Sequence, residues 1–269
     1  MASSLLSPLK ESEVEFTIYT PTGTRAKLLA KEVDGKWAES LSQIAKLLEQ
    51  DEDYFDMILL GFKPQVFHKA SESFIIETGL KSAKTTIVSM LAGLPLETLK
   101  KKFNTKNVYR IMPNTPCMFG QGITLGLSAE GVPLERRKAL KQLLENSSTF
   151  YSCSSEDQFD QLTAITGSGP AYIFEFAIIM RKWLQNAGVN EKDSDLLIKK
   201  LFKGSGEMMD KSELDIEALR NNVTSPGGVT FEALKTFKEG HLAEIFNLAF
   251  QNNFSRSLEL REEAIKIEK

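Results

Sequence analysis

The sequence predicts an α/β domain followed by an all-α domain. Three observations carry this. Up to about Ser155, short strand-like segments alternate with helical ones, the pattern of a doubly wound sheet with helices on its faces. Met57-Ile58-Leu59-Leu60-Gly61-Phe62 is an almost unbroken apolar run, as expected of a parallel strand covered on both sides. Beyond Ser155 no segment reads as a strand, and long helical stretches take over.

Val14 to Tyr19 alternates apolar and polar residues, the period of a half-buried strand. Arg25 to Val33 has helical composition and ends near Gly35. After the Met57–Phe62 run, Thr85 to Leu91 and Val108 to Met112 read as further strands, with a short helix from Leu96 to Lys102 between them. Gly122 to Leu127 and Thr149 to Ser152 are later, shorter strands flanking a helix from about Leu134 to Asn146. In the second part, Ala171 to Ala187 is apolar over a helical length and is stopped by Gly188. Ser194 to Met209, Phe231 to Lys238 and Leu242 to Lys269 are also helical. The division falls at residues 1–155 and 156–269. The apolar Ala171–Trp183 segment reads as either a subunit interface or a central core helix.

The 269 residues are 42% hydrophobic and 26% charged, with a net charge of -3, a balance that gives no broad basic surface for nucleic acid. No apolar run approaches the ~20 residues needed to span a bilayer. Met1 to Ser12 lacks the basic start and apolar centre of a secretory signal. Cys117 and Cys153 are too few for a disulfide framework. His68 and His241 have no spacing that would hold a metal. A cytoplasmic location, with no membrane, nucleic acid or metal, is expected.

Three segments carry residue types that packing explains poorly. Arg110-Ile111-Met112-Pro113-Asn114-Thr115-Pro116 makes a stiff turn at a strand's carboxyl end, the edge of an open α/β sheet where ligands sit; a rigid loop without function is the plainer reading. Thr166-Gly167-Ser168-Gly169-Pro170-Ala171 leads into the apolar helix. Its glycines permit close approach of a ligand or, equally, of a neighbouring domain. Asn222-Val223-Thr224-Ser225-Pro226-Gly227-Gly228-Val229-Thr230 precedes a helix. Backbone N–H groups at such a helix start cradle an anion such as a carboxylate, and a simple turn would need only one of the two glycines.

Met-Pro-Asn-Thr-Pro, Gly-Ser-Gly-Pro-Ala-Tyr and Thr-Ser-Pro-Gly-Gly-Val-Thr, in this order, closely resemble the pyrroline-5-carboxylate reductases. Gly61-Phe62-Lys63-Pro64-Gln65 and Val88-Ser89-Met90-Leu91-Ala92-Gly93 agree with that resemblance. It runs from Met1 to about Leu260. It implies a Rossmann-like dinucleotide-binding domain, then a helical domain that binds substrate and forms a homodimer or higher homo-oligomer. The implied reaction is NAD(P)H-dependent reduction of 1-pyrroline-5-carboxylate to L-proline, the last step of proline biosynthesis.

The resemblance also implies the site. The backbone of Gly227, Gly228, Val229 and Thr230, with Val223 and Ser225, would hold the substrate carboxylate. The Thr230 hydroxyl would bond the ring nitrogen as the catalytic side chain, and Glu213 resembles a glutamate near the family's substrate pocket. For the cofactor, Phe62, Lys63 and Pro64 would line its groove, with Ala92 and Asn114 near the nicotinamide. An NAD enzyme usually ends the strand before Thr20 with Asp or Glu for the ribose hydroxyls. Thr20, Thr22 and Arg25 suit a 2′-phosphate, so NADPH is expected, with NADH possible.

Family members open with a strand and Gly-x-Gly-x-Met. This chain opens Met1-Ala2-Ser3-Ser4-Leu5-Leu6, similar to the family from that methionine onward. A first strand and its glycine turn are therefore expected to be missing, with the natural product extending upstream of Met1. The competing readings are a non-catalytic paralogue that has lost its cofactor and a β-hydroxyacid-type reductase. The latter is disfavoured because the helix beginning at Tyr172 offers only Lys182, far along it.

Overall fold

The computed structural model describes residues 5–6, 8–9, 14–80 and 84–266. The first helices and strands alternate as their sequence periods require: β1 (Thr17–Tyr19), α1 (Thr24–Glu32), β2 (Lys36–Ala38), α2 (Leu41–Gln50), β3 (Met57–Leu60), α3 (Phe67–Thr78), β4 (Thr86–Ser89), α4 (Leu96–Phe103) and β5 (Val108–Pro113). β6 (Gly122–Ser128), α5 (Leu134–Glu145) and β7 (Ser148–Ser152) complete the sheets. The helices α6 (Glu156–Thr166), α7 (Gly169–Asn186), α8 (Glu191–Lys211), α9 (Ile216–Asn222), α10 (Val229–Glu239) and α11 (Leu242–Lys266) follow.

β3-β4-β5-β6-β7 form one sheet and β1-β2 a separate pair. β3, β4 and β5 are parallel, each pair joined through a helix. β6 runs antiparallel to β5, with Pro113 opposite Thr124. The link from Asn114 to Gln121, largely a tight turn at Thr115–Phe119, is too short for a parallel crossover. The sheet is thus mixed, with β5–β6 the antiparallel pair in an otherwise parallel order. The strands divide into two separate sheets, one of β1 and β2 and the other beginning at β3. Among the described residues β1 and β3 each pair with one strand only.

β4 is buried at every position, and Ile87 and Val88 join Leu99, Val108 and Ile111 in the main core. A second cluster packs Leu9, Leu29 and Val33 with Ile18 of β1 and Leu59 of β3. This burial of apolar side chains, at about 25 cal/mol per Å2, is the main force holding the layers.

The chain divides into two compact units, residues 1–168 with 253–269, and residues 169–252. The boundary therefore lies later than residue 155, and the end of the chain returns to the first unit. Charge explains both shifts. Fully buried Arg110 of β5 pairs with Glu156 and, at 3.3 Å, with Asp160, both on α6. Arg261 of α11 reaches Asp160 at 3.2 Å, and Asn253 donates to Ser168 Oγ at 3.0 Å. None of these pairings across 46 to 101 residues is visible as a local pattern.

In the second unit, α7 packs on α8 and meets α11 through stacked Phe176 and Phe246, 5.5 Å apart. No residue of α7 is fully buried; Phe174 and Trp183 are 61% and 76% exposed. The stretch Glu156–Asn186 is long and apolar enough, by length and composition, to cross a membrane. That exceeds the sequence expectation, because the stretch tolerates single charges and small polar residues that break a strict apolar run.

Candidate functional site

In the second unit the Asn222–Thr230 segment forms the turn into α10. Gly227 has φ 70°, a left-handed conformation that other L-residues adopt only with strain. Gly228, at φ -80° and ψ 171°, is the N-cap, and its N–H donates to the carbonyl of Ser225 at 3.0 Å. A Cβ on Gly228 would lie 2.4 Å from Ser225 Oγ and 3.1 Å from the Ser225 carbonyl oxygen, so a larger residue there would have to displace that serine side chain. The first helical bond is Glu232 N–H to Gly228 carbonyl, 3.2 Å. The N–H groups of Val229, Thr230 and Phe231 thus have no helical acceptor, and no side chain caps them. The turn is open: Val223 and Val229 are exposed, and Thr230 is partly so.

Glu213 is exposed in the α8–α9 link. There Asp215 caps α9 through Ala218 N–H at 2.7 Å, while Glu213 has no such tie among the described residues. The structure thus brings Val223, Ser225, Gly227, Gly228, Val229 and Thr230 into one turn and leaves Glu213 on a neighbouring link.

In the first unit, the expected cofactor residues follow the carboxyl ends of parallel strands. Phe62 packs against the main core after β3. Lys63 is extended at φ -77° and ψ 138°, as the residue before a proline must be, and Pro64 opens a tight turn. Ala92 is exposed after β4. It is followed by Gly93, at φ 73°, where a Cβ would lie 2.9 Å from Leu260 Cβ.

Asn114 is held by the backbone of two other segments. It is 5% exposed, with Oδ1 accepting from Ile123 N–H at 2.9 Å and Nδ2 donating to the Thr166 carbonyl at 2.9 Å. One Nδ2 hydrogen remains for any ligand. The amide mainly ties the β5–β6 turn to the end of α6.

The β1–α1 turn lines an open cavity of about 640 Å3, to which Thr22, Gly23, Trp37 and Glu39 contribute. Thr24, Lys27 and Leu28 present one face of α1 to it, the three- and four-residue spacing of a helix. Arg25 lies outside this lining: two residues from Lys27, it points from a different face. Lys27 is the basic residue on this lining, placed there by the helix face it shares with Thr24. Thr20 Oγ1 is buried with no partner among the described residues.

Burial raises the carboxyl pKa of Asp160, against the opposing pull of Arg110 and Arg261. Burial likewise pushes the Cys153 thiol up to about 11. Among the described residues no three His, Cys, Asp or Glu side chains gather as metal ligands, and no Gly-x-Gly turn joins a strand to a helix.

A family model described as pyrroline-5-carboxylate reductase dimerisation matches residues 156–260. The pyrroline-5-carboxylate reductase of Staphylococcus haemolyticus (strain JCSC1435) is 33% identical over 216 residues, 80% of this chain and 77% of that protein. Pyrroline-5-carboxylate reductase 2 of Bacillus subtilis (strain 168) is 30% identical over 212 residues, 77% and 73% of the two chains. The fold is similar to a solved pyrroline-5-carboxylate reductase from Coxiella burnetii, with TM-score 0.82, 24% identity and coverage of 96% and 94%. It is also similar to the Plasmodium falciparum pyrroline carboxylate reductase solved with NADP bound, with TM-score 0.79, 22% identity and coverage of 96% and 94%.

Proposed function

Because the chain belongs to the pyrroline-5-carboxylate reductase family, we propose that it reduces the C=N bond of 1-pyrroline-5-carboxylate to L-proline with NADPH, in the biosynthesis of proline. The observation that carries this is the uncapped start of α10 behind Gly227 and Gly228. Free N–H groups and the positive end of the helix favour a carboxylate there.

The chain's own residues bind and orient. The N–H groups of Val229 and Thr230 hold the substrate carboxylate, with Val223 and Ser225 shaping the turn. Thr230 Oγ1 hydrogen-bonds the ring nitrogen; a hydroxyl is a poor acid at neutral pH, so it positions that N–H rather than supplying the proton. Fixing the ring in one orientation is itself a large part of rate enhancement. Glu213 belongs to the surrounding polar rim. Bound NADPH supplies hydride.

The β1–α1 end of the cofactor path fits such a group: Thr20 Oγ1 is an orphaned buried hydroxyl, and β1 ends without an acidic residue. Phe62, Lys63, Pro64 and Ala92 would border the rest, with Asn114 setting the turn beside them. The scarcely covered apolar face of α7 and the matched dimerisation family support self-association through the C-terminal helices. The two unpaired cysteines support a cytoplasmic location.

The test is NADPH oxidation with pyrroline-5-carboxylate by wild type and Thr230→Ala. Substrate-dependent oxidation that falls at least tenfold in the variant supports the assignment. An unchanged rate removes Thr230 from the reaction. The competing reading is a paralogue that keeps the substrate turn but no cofactor. NADPH binding without turnover, or no binding, separates the two.

A further inference from the structure

We propose that Arg261 is a positioning residue for hydride transfer: by pinning the end of α11 to α6, it holds that helix against Gly93 and so fixes the turn that carries Ala92. This rests on the reductase reading above, which puts Ala92 beside the nicotinamide, and adds a residue that acts through the turn rather than on substrate or cofactor. Ala92 is exposed at the carboxyl end of β4, between buried Leu91 and buried Gly93. Gly93 turns the chain at φ 73°, and a Cβ there would lie 2.9 Å from Leu260 Cβ and 3.3 Å from the Arg261 backbone nitrogen. The two backbones are in close-packed contact, so where α11 rests decides where this turn stands.

Charge keeps α11 in that place. The Arg261 guanidinium donates to Asp160 Oδ2 at 3.2 Å, and to Asp157 Oδ1 at 3.2 and 3.3 Å. Asp157 is 71% exposed, so water and salt screen that leg. Asp160 is 2% exposed, where solvent cannot replace a lost cation, and its other oxygen takes Arg110 at 3.3 Å. Arg110 also holds Glu156, whose Oε1 accepts the Leu96 N–H at 2.7 Å where α4 begins. The turn from Leu91 to Leu96 is therefore held at two points, by Glu156 at its end and by α11 at its middle. Both holds run to the same arginine–carboxylate group on β5 and α6. Arg261 lies near the end of α11 at Lys266, in the stretch where an untied helix frays. All of these residues belong to the first unit.

The test measures NADPH oxidation with pyrroline-5-carboxylate on the full chain, as kcat per NADPH-binding site counted by titration. Counting sites removes any share of unfolded protein from the rate. Arg261→Met should lower kcat about tenfold, short of the ~100-fold that a full ångström of misplacement can cost, with the KM for pyrroline-5-carboxylate unchanged. A fall in kcat alone marks lost alignment rather than lost binding. Arg261→Lys, which keeps a cation for Asp160, should recover most of the rate. Arg256→Met, which removes a cation paired with Glu259 and Glu263 of its own helix, should match wild type. Should Arg261→Met fail to bind NADPH, Arg261→Gln, which keeps a donor for Asp160 without the charge, carries the same comparison. A per-site kcat equal to wild type, no recovery in Arg261→Lys, or an equal loss in Arg256→Met overturns the positioning role and leaves the reductase reading standing. If wild type shows no substrate-dependent oxidation, both fall.

Discussion

Asn114 Nδ2 donates to the backbone carbonyl of Thr166 at 2.9 Å across 52 residues of sequence, fastening the end of β5 to the last turn of α6. The same side chain takes the N–H of Ile123. Asn114→Ala strips two part-buried backbone groups of their partners at once. A loss of about 2–4 kcal/mol is expected, measured as the shift in a urea unfolding curve. A change below about 0.5 kcal/mol would mean the amide is held for a ligand rather than for the fold.

Arg110 supports two carboxylates from a site 1% exposed. Arg110→Met leaves Asp160 buried with Arg261 as its remaining cation, and should cost about 3–5 kcal/mol. Pairing that change with Asp160→Leu removes the stranded charge. The double variant should therefore lose less than the sum of the singles, a comparison that denaturant unfolding of all three proteins decides.

Gly228→Ala probes the substrate turn without emptying a core. Its Cβ meets a serine side chain at 2.4 Å, which can rotate at modest cost but then crowds the N–H groups of α10. The KM for pyrroline-5-carboxylate should rise about tenfold, equivalent to about 1.4 kcal/mol. Equal losses in thermal stability and KM would point to a collapsed turn instead.

Cys153 gives a pH signature. Its folded thiol is pushed up to about 11 by burial, from an ordinary value of 9.0. As pH rises above 9 the unfolded thiol ionises first and the folded one stays protonated, so the unfolded state gains. Stability should fall between pH 9 and 11 by up to about 1.4 kcal/mol per unit from this group. Cys153→Ser should flatten that slope in unfolding curves collected across the range.

Much of this architecture was legible. Local periodicity placed Met57–Leu60, Thr86–Ser89 and Val108–Pro113 as strands to within a few residues, because burial on both faces writes an apolar run into the sequence. β2 went unseen: Lys36-Trp37-Ala38 is three residues long, too short for any period. α2 and α3 were also missed, although Leu41, Ile44 and Leu48 of α2 recur at helical spacing and are buried. The glycine pair before α10 announced its turn because close approach and a left-handed φ leave few substitutes. Lys27 and the fastening role of Asn114 were hidden for a common reason. Each depends on which neighbour the folded chain delivers, and neighbour identity has no local signature.

The division between β1 and β3 sets where the molecule yields. Across it, Ile18 and Leu59 share a cluster, yet among the described residues no ladder of amides reinforces that side-chain contact. A seam closed only by packing should open more often than a hydrogen-bonded one. Under native conditions the backbone protons of β1 should trade for deuterium well ahead of those of β4, which is flanked on both sides by paired strands.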